Sequence, residues 1–291
     1  MKYLGIDENG YGPVLGPLVV TGIKASSDIT QQWPDDIYDS KTLFSSENKF
    51  VKIEKIALAI LKITKKKIPE SALNIFEHFE SFHCPEINPT VCFENLPEIP
   101  LWVTIADIEK YAEYLYRSLA QLKVSIKCVN SQVICVNKFN NLCRRHMKKD
   151  FINYLLFEKI ILQSSFDCDN LIVNAGKIGG RKKYACFLRK GFCDWSVTKE
   201  REDEEVSTYL LKKNEKKIII NFIKNIESRS FLGTIAGIYG KYVREIFMRG
   251  INSWLKTERT VSGYRDRYTS EFIRKLNKKN LPYIDCVLRI K

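Results

Sequence analysis

The stretch that most constrains this chain runs from Tyr3 to Val20 and reads YLGIDENGYGPVLGPLVV. The apolar runs at its two ends have the length of strands and are too short for helices. Between them, the adjacent carboxylates Asp7 and Glu8 precede a Gly-Tyr-Gly turn, where glycine permits left-handed backbone or the close approach of a ligand. The pattern predicts two neighbouring strands joined by a loop that begins at a pair of acids, a common position for metal ligands. On these residues alone, an ordinary hairpin with solvent-facing acids is an equal alternative.

Composition narrows the class of protein. The chain has 291 residues, of which 45% are hydrophobic and 28% charged, as in soluble globular proteins with a substantial core. A net charge of +13 favours polyanionic partners, although solvated lysine-rich faces give the same balance. No apolar run has membrane-spanning length, and no signal peptide precedes Asp7. The nine cysteines are scattered and form no C-x-x-C pair, so we expect a reducing cytoplasm without a zinc site or disulfide framework.

Periodicity predicts an alternation of strands and helices along the rest of the chain. We expect an amphipathic helix over Asp107 to Leu122, strand structure over 124–136, a helix within 139–164, a strand at 170–173, a second at 217–222 and a long helix over 231–255. These elements predict a single α/β domain over residues 1–291, with an elaborated middle at about 69–150.

Four further motifs carry polar groups of chemical interest. They are Asp39-Ser40-Lys41, Asn174 followed by the basic loop 176–183, Ile226-Glu227-Ser228 before the long helix, and Ser262-Gly263-Tyr264. Each has a simpler interpretation, for example that Asp39 closes a turn and Lys41 is one of many lysines. The acidic residues between Glu200 and Glu205 are expected to be solvated.

Taken together, these motifs resemble those of the type 2 ribonucleases H, the bacterial HII and HIII enzymes and their archaeal and eukaryotic relatives. The first motif of that family is Gly-Ile-Asp-Glu-Ala-Gly-Arg-Gly-Pro followed by Gly-Pro, from which this chain departs only at Asn9 and Tyr11. The stretch Lys241 to Glu245 fits the family's Lys-x-x-Arg-Asp/Glu signature. The resemblance implies a ribonuclease H-like fold, with a mixed central sheet and helices on both faces.

The resemblance also implies a site. Asp7, Glu8 and Glu227 would hold two divalent ions, Mg²⁺ or Mn²⁺, and Asn174 would occupy the place of the family's third carboxylate. The residues implied in substrate binding are Gly10, Tyr11 and Gly12 at the ribose 2′-OH, Lys41 near the nucleic-acid backbone, and Tyr264 stacked beside the cleaved bond. The implied partner is an RNA–DNA hybrid or a DNA duplex with embedded ribonucleotides, bound by a monomer.

Two departures leave the activity open. Asn174 supplies an oxygen ligand without charge, which predicts a weaker second ion, and Tyr11 replaces a family arginine near the scissile phosphate. The first hypothesis is an endoribonuclease that cuts the RNA strand. The second is a hybrid-binding homologue with weakened or lost catalysis. A different metal nuclease of the same fold, such as a junction resolvase, explains the acids but neither the Gly-Tyr-Gly turn nor Ser-Gly-Tyr.

Overall fold

A computed structural model describes residues 1–27, 48–76, 96–276 and 283–290. The predicted Asp39-Ser40-Lys41 motif lies outside these residues. Across the described part of the chain no helix has the length and apolar character needed to cross a membrane. The seven cysteines in that part are free thiols.

A mixed seven-stranded sheet with the order β3-β2-β1-β4-β7-β6-β5 forms the centre of the fold. Its strands are β1 (Lys2–Asn9), β2 (Leu18–Ser27), β3 (Val124–Ile134), β4 (Asn170–Gly176), β5 (Ser196–Glu202), β6 (Val206–Lys213) and β7 (Lys216–Ile223). The central strands β1, β4 and β7 run parallel to one another, whereas all other neighbours are antiparallel. The carboxyl ends of the three parallel strands therefore meet at one edge, where ligands bind in open α/β sheets.

Helices cover both faces of the sheet, as the resemblance predicts. They are α1 (Lys49–Lys65), α2 (Ala72–Phe76), α3 (Ile105–Gln121), α4 (Val136–Arg144), α5 (Lys149–Ser165), α6 (Ala185–Gly191), α7 (Phe231–Trp254) and α8 (Arg267–Leu276). One core lies between the sheet and α1, α3 and α7, and a second lies between the sheet and α4, α5 and α6. Alternation along β1 divides its side chains between the two cores, since Tyr3 enters the first while Leu4 and Ile6 enter the second.

The long helix α7 passes close beneath β1 because small residues line its contact face. A Cβ built at Gly5 of β1 lies only 2.3 Å from the Leu232 backbone, so the strand and helix meet almost backbone to backbone. Ser230 caps the helix by accepting a hydrogen bond from Gly233 N–H at 3.3 Å. The glycines that weaken this helix intrinsically are thus explained by close packing against the sheet.

Two element boundaries differ from the sequence-based expectation. The helix predicted within 139–164 is two helices, α4 and α5, separated where His146 adopts a left-handed conformation. The strand predicted to end before Asn174 continues to Gly176, because β4 pairs with β7 as far as Gly176 opposite Ile223. Within the predicted elaborated middle, α3 packs into the first core and β3 completes one edge of the central sheet.

The C-terminal residues close the loop that connects β1 and β2. Gly16 N–H donates to the Val287 carbonyl at 3.1 Å, and Arg289 N–H donates to the Val14 carbonyl at 2.9 Å. A small apolar cluster beneath them joins Leu15 to Met248 of α7 and to Val287. The loop that carries the Gly-Tyr-Gly turn is therefore held by α7 and by the end of the chain.

Candidate active site

Asp7 lies on β1 where the three parallel strands end, and two glycines leave room for its carboxylate. A Cβ built at Gly176 of β4 lies 2.9 Å from Asp7 Oδ1, and one built at Gly237 of α7 lies 2.6 Å from Asp7 Oδ2. Any larger side chain at either position would displace the carboxylate. Asn9 fixes the helix beside it, since its Nδ2 donates to the Gly237 carbonyl at 3.0 Å.

Glu227 reaches the same region from the opposite end of the sequence. It lies in a single 3-10 turn, Ile226–Ser228, between β7 and α7. Asp7, Glu8 and Glu227 all line one cavity of about 420 Å³ at the carboxyl edge of the sheet. The remaining lining residues are Gly176, Lys177, Gly180, Lys182, Glu204, Ile223, Lys224, Asn225 and Ile226. The structure thus brings together the three acids that the sequence predicts.

The electrostatics of these acids favour a bound cation. Burial raises the pKa of Asp7 well above its usual value, and the neighbouring charges of Glu8 and Glu227 raise it further. A buried carboxylate that faces two other acids is destabilised in its charged form unless a positive charge joins the group. Oxygen donors of this kind suit a hard divalent cation such as Mg²⁺.

Glu8 is held on the other face of β1 by helix α5. Asn153 Nδ2 donates to Glu8 Oε2 at 2.6 Å. Burial raises the pKa of Glu8 to about 7, while the Asn153 hydrogen bond and the charge of Lys149 oppose that shift. Glu8 is thus a second acid at the cavity that gains a proton close to neutral pH.

The acids do not form a closed metal cage. Over the described residues, no group of three or more His, Cys, Asp and Glu side chains is arranged to hold an ion. The charges of Glu8 and Glu227 both act on Asp7, and all three carboxylates line the cavity, so these side chains are the ones that could supply oxygen ligands to a cation there.

Asn174 occupies a different level of the sheet from Asp7. In the parallel pairing of β1 and β4, Asn174 lies opposite Gly5. Gly176 is two residues farther along β4, as Asp7 is two residues farther along β1. Its amide oxygen accepts a hydrogen bond from Asn221 Nδ2 at 3.0 Å, and it does not line the cavity. The β4 position beside the Asp7 carboxylate is therefore Gly176, which carries no side chain.

The Gly-Tyr-Gly turn follows the acids directly. Gly10 has a left-handed conformation with φ of +91°, which a side chain at that position would strain. Tyr11 is half-buried beneath Lys149, whose Nζ lies 4.4 Å from the centre of its ring. No heavy atom of a non-adjacent described residue lies within 4 Å of a Cβ built at Gly12, so the tip of the turn is open to a ligand.

Tyr264 lies next to that turn and leaves 48% of its side chain exposed. Its ring packs against the Arg244 guanidinium at 5.0 Å, and its N–H donates to Ser262 Oγ at 3.1 Å. The Gly263 carbonyl accepts from Val14 N–H at 2.8 Å and from Leu15 N–H at 3.2 Å, so the segment that carries Tyr264 is attached to the loop that carries the turn.

The sequence did not identify several residues that shape the site. Asn153 and Lys149 beside Glu8 come from α5, and only the basic character of the start of that helix signalled one of them. The acidic cluster is solvated as expected, and it also pairs with lysines of the cavity, since Glu204 contacts Lys182 and Glu205 contacts Lys224 at 2.9 Å. These ion pairs position the ammonium groups of Lys182 and Lys224, which remain exposed to a ligand at the cavity.

Comparisons with known proteins bear on the family resemblance and on the fold. A family model described as Ribonuclease HII matches residues 4–88, less than a third of the chain. None of the curated proteins matches the chain. The chain is similar in structure to Bst-RNase HIII in complex with Mn²⁺, with a TM-score of 0.50 and 11% identity over 100% of this chain and 66% of that one.

Two archaeal structures are similar at lower scores. The RNase HII of Archaeoglobus fulgidus, solved in a PCNA:RNase HII complex, gives a TM-score of 0.48 at 14% identity and covers 100% of this chain and 95% of that one. The ribonuclease H2 of Pyrococcus horikoshii gives 0.44 at 14% identity, covering 99% and 92%. The family match supports the resemblance to the type 2 ribonucleases H, and the predicted ribonuclease H-like fold is confirmed.

Proposed function

We propose that this chain, an α/β protein of the type 2 ribonuclease H kind, is a metal-dependent endoribonuclease. Its substrate would be the RNA strand of an RNA–DNA hybrid, or a ribonucleotide embedded in duplex DNA. The observation that carries the proposal is the meeting of Asp7 with Glu227, from opposite ends of the chain, at the mouth of a lysine-lined cavity beside an open glycine turn. The match of the Ribonuclease HII model to the segment that contains Asp7 supports it.

In this proposal Asp7 and Glu227 hold Mg²⁺ or Mn²⁺, and Glu8 holds a second, weaker ion. Bound divalent ions would supply positive charge for the attacking and leaving oxygens of the phosphodiester. Gly176 and Gly237 fix the Asp7 carboxylate between β4 and α7, so that little reorganisation precedes the reaction. Lys177, Lys182 and Lys224 attract the nucleic-acid backbone to the cavity.

The open turn accounts for a choice of RNA over DNA. Gly12 is exposed and has no side chain in the way, so its backbone groups can exchange hydrogen bonds with a ribose 2′-OH, whereas Gly10 is buried and shapes the turn from beneath. Tyr264 presents a half-exposed ring next to this turn, where it would stack on the adjacent sugar or base. Lys41 would contact the backbone of the substrate as the sequence predicts. We further propose that the chain acts as a monomer in the cytoplasm.

A second candidate function is that of a hybrid-binding protein with little hydrolytic activity. The observation that favours it is Gly176, because the β4 position nearest the Asp7 carboxylate offers no third acid for a second ion. Both candidates share the binding surface and differ in turnover.

Cleavage of a defined substrate separates them. We expect the purified protein to cut a hybrid, or a DNA duplex with one ribonucleotide, in Mg²⁺ or Mn²⁺, and Asp7→Asn to reduce the rate by about 10³-fold or more, since a charged ligand is lost. Product ends would be mapped by gel electrophoresis. Binding of the hybrid by the wild type without cleavage in either metal would favour the second candidate, and cleavage equal in Asp7→Asn and wild type would contradict the first.

A further inference from the structure

Two buried arginines lie beneath the loop that carries the Gly-Tyr-Gly turn. Arg244 of α7 and Arg289 at the C-terminal end expose only 5% and 6% of their surface. Neither forms an ion pair with a carboxylate among the described residues; of the acids there, only Glu245 is close enough to Arg244 to stabilise its charge. Two like charges buried this way are costly unless an anion balances them.

Part of each guanidinium holds the loop by hydrogen bonds. Arg244 Nη2 donates to the Leu15 carbonyl at 3.1 Å, and Arg289 Nε donates to the Gly16 carbonyl at 2.8 Å. Arg289 Nη1 also donates to the Gly10 carbonyl. These bonds explain why donors are present at both positions. They do not explain the charges, because a neutral amide would donate to a carbonyl without the cost of burying a cation.

The remaining donors of the pair are unsatisfied. Arg244 Nε and Arg289 Nη2 are buried and have no hydrogen-bond partner among the described residues. A Cβ built at Gly10 lies 3.0 Å from Arg244 Nε, so that donor is adjacent to the turn itself. Unsatisfied charged donors in a protein interior are rare and require an explanation, such as a water, ion or ligand that completes the network.

Other cations surround the same place. The charge of Arg244 acts on Arg289, and the charges of Arg289 and Arg265 act on Lys149, which lies over Tyr11. Tyr264 covers Arg244 with its ring and is itself half-exposed, and Gly12 leaves open space at the tip of the turn. An anion that reached the turn would thus lie near four positive charges, two of which belong to the arginines with unsatisfied donors.

We propose that Arg244 and Arg289 form a phosphate-binding site that takes one phosphodiester of the bound nucleic acid, next to the nucleotide at the Gly-Tyr-Gly turn. A guanidinium group can bind a phosphate through two parallel hydrogen bonds. Such contacts fix the position of the phosphate and also balance its charge. The site deepens the proposed function, on which it rests for the identity of the ligand. It adds an anchor separate from the lysines that line the cavity.

Binding of modified substrates in EDTA tests the proposal without any cleavage. A series of hybrids, each with one neutral methylphosphonate in place of a phosphodiester, is titrated against the full chain by fluorescence anisotropy. We expect one linkage near the turn to weaken wild-type binding by about tenfold, the effect of losing one charge-assisted contact. A series in which no single linkage stands out overturns the proposal, whether or not the protein is a nuclease.

Variants then assign that linkage to the arginines. Arg289→Gln keeps amide donors for the loop carbonyls but lacks the charge, and Arg249→Met removes an exposed arginine of the same helix α7 that packs on Trp102. The methylphosphonate penalty should disappear in Arg289→Gln and persist in Arg249→Met. The slope of log K against log salt should fall by about 0.9 per lost phosphate contact in Arg289→Gln. A penalty that persists in Arg289→Gln overturns the assignment.

Inorganic phosphate provides a measurement that does not depend on the variants or on nucleic acid. At constant ionic strength, phosphate should raise the thermal midpoint of the wild type relative to chloride, because the ion neutralises the buried pair. No difference between phosphate and chloride overturns the proposal. Stabilisation by phosphate with a flat methylphosphonate series would identify a free-anion site and would likewise overturn the nucleic-acid assignment.

Discussion

The acids at the end of β1 and the arginines beneath the neighbouring loop are opposite versions of the same arrangement. Asp7 is partly buried close to the charges of Glu8 and Glu227, and burial and then those charges raise its pKa. Arg289 is buried close to Arg244, and its pKa is lowered to about 9, first by burial and then by that neighbour. In both groups the protein has placed like charges together where water screens them poorly. Each group therefore stabilises the fold less than neutral residues would, and each is suited to an ion of the opposite sign.

Lys149 and the Gly-Tyr-Gly turn separate the two groups. The Lys149 charge lowers the pKa of Glu8 on one side, while on the other the charge of Arg289 lowers the pKa of Lys149. A substrate that passed over the turn would bring its phosphates to the arginines and, with the metal, to the acids. The proposed function thus assigns chemistry and substrate binding to two adjacent charge clusters of opposite sign. Perturbing one should leave the other in place.

The largest effect is expected from adding an acid to the acidic group. Gly176→Asp places a third carboxylate beside Asp7, where a Cβ would lie 2.9 Å from Asp7 Oδ1, a contact that the flexible end of the Asp7 side chain can relieve by shifting. We expect the affinity for Mn²⁺, measured by calorimetry, to rise about tenfold or more, since ligand charge governs affinity for hard cations. Cleavage in low Mn²⁺ should rise with it.

Two matched variants control this prediction. Gly176→Asn has nearly the same size and no charge, so it should not tighten metal binding. Asn174→Asp adds the same charge two residues earlier, where the side chain contacts Asn221 rather than the cavity. If Asn174→Asp raised the affinity for Mn²⁺ more than Gly176→Asp does, the sequence-based assignment of position 174 would be correct and the geometric argument for position 176 would be wrong.

A separate effect, on folding rather than on metal binding, is expected in the pH dependence of stability. Burial raises the pKa of Glu8 from 4.5 to about 7, so the folded state retains a proton that the unfolded chain releases between these values. The free energy of unfolding should therefore fall as pH rises from about 4.5 to about 7, by about 3 kcal/mol for this group. Denaturant titrations at pH 5 and pH 8 in EDTA measure the difference.

Glu8→Gln and added metal test the cause of that loss. The glutamine cannot ionise, and its amide still accepts from Asn153 Nδ2 and can donate to Asn153 Oδ1, which has no hydrogen-bond partner among the described residues. This variant should lose less stability between pH 5 and pH 8 than the wild type. Mg²⁺ should stabilise the wild type more at pH 8 than at pH 5, because protons compete with the ion. Equal loss in both proteins would show that Glu8 is not the source.

Local sequence patterns predicted the positions of many helices and strands. The periodicity and turn residues that define β1, β2 and α7, for example, lie within short stretches of sequence. The three acids were likewise identifiable from the motifs that contain them. The level of Asn174 was not, because the end of β4 depends on its pairing with β7, about 45 residues farther along the chain. The register of the sheet decides which β4 residue lies beside Asp7, and that residue is Gly176.

The arginine pair was beyond sequence reasoning for a related reason. Arg244 and Arg289 are far apart in sequence, and a lysine- and arginine-rich chain gives no sign of which cations are buried. Only the packing of α7 and of the C-terminal end beneath one loop brings them together. The Lys-x-x-Arg-Glu signature contains Arg244, but it does not indicate that Arg289 lies nearby or that both side chains are buried.

The smallest effect on the fold, and the sharpest test of the acidic group, is expected from Gly237→Ala. Alanine is favoured over glycine inside a helix by about 1 kcal/mol, but its Cβ would lie 2.6 Å from Asp7 Oδ2 and must push the carboxylate away. We expect the thermal midpoint to change by only a few degrees while the affinity for Mn²⁺ and the cleavage rate fall several-fold, and hybrid binding in EDTA stays unchanged because the arginine pair is untouched. If Gly237→Ala weakened hybrid binding as much as cleavage, the acidic and arginine groups would be coupled through α7, and their independence would be refuted.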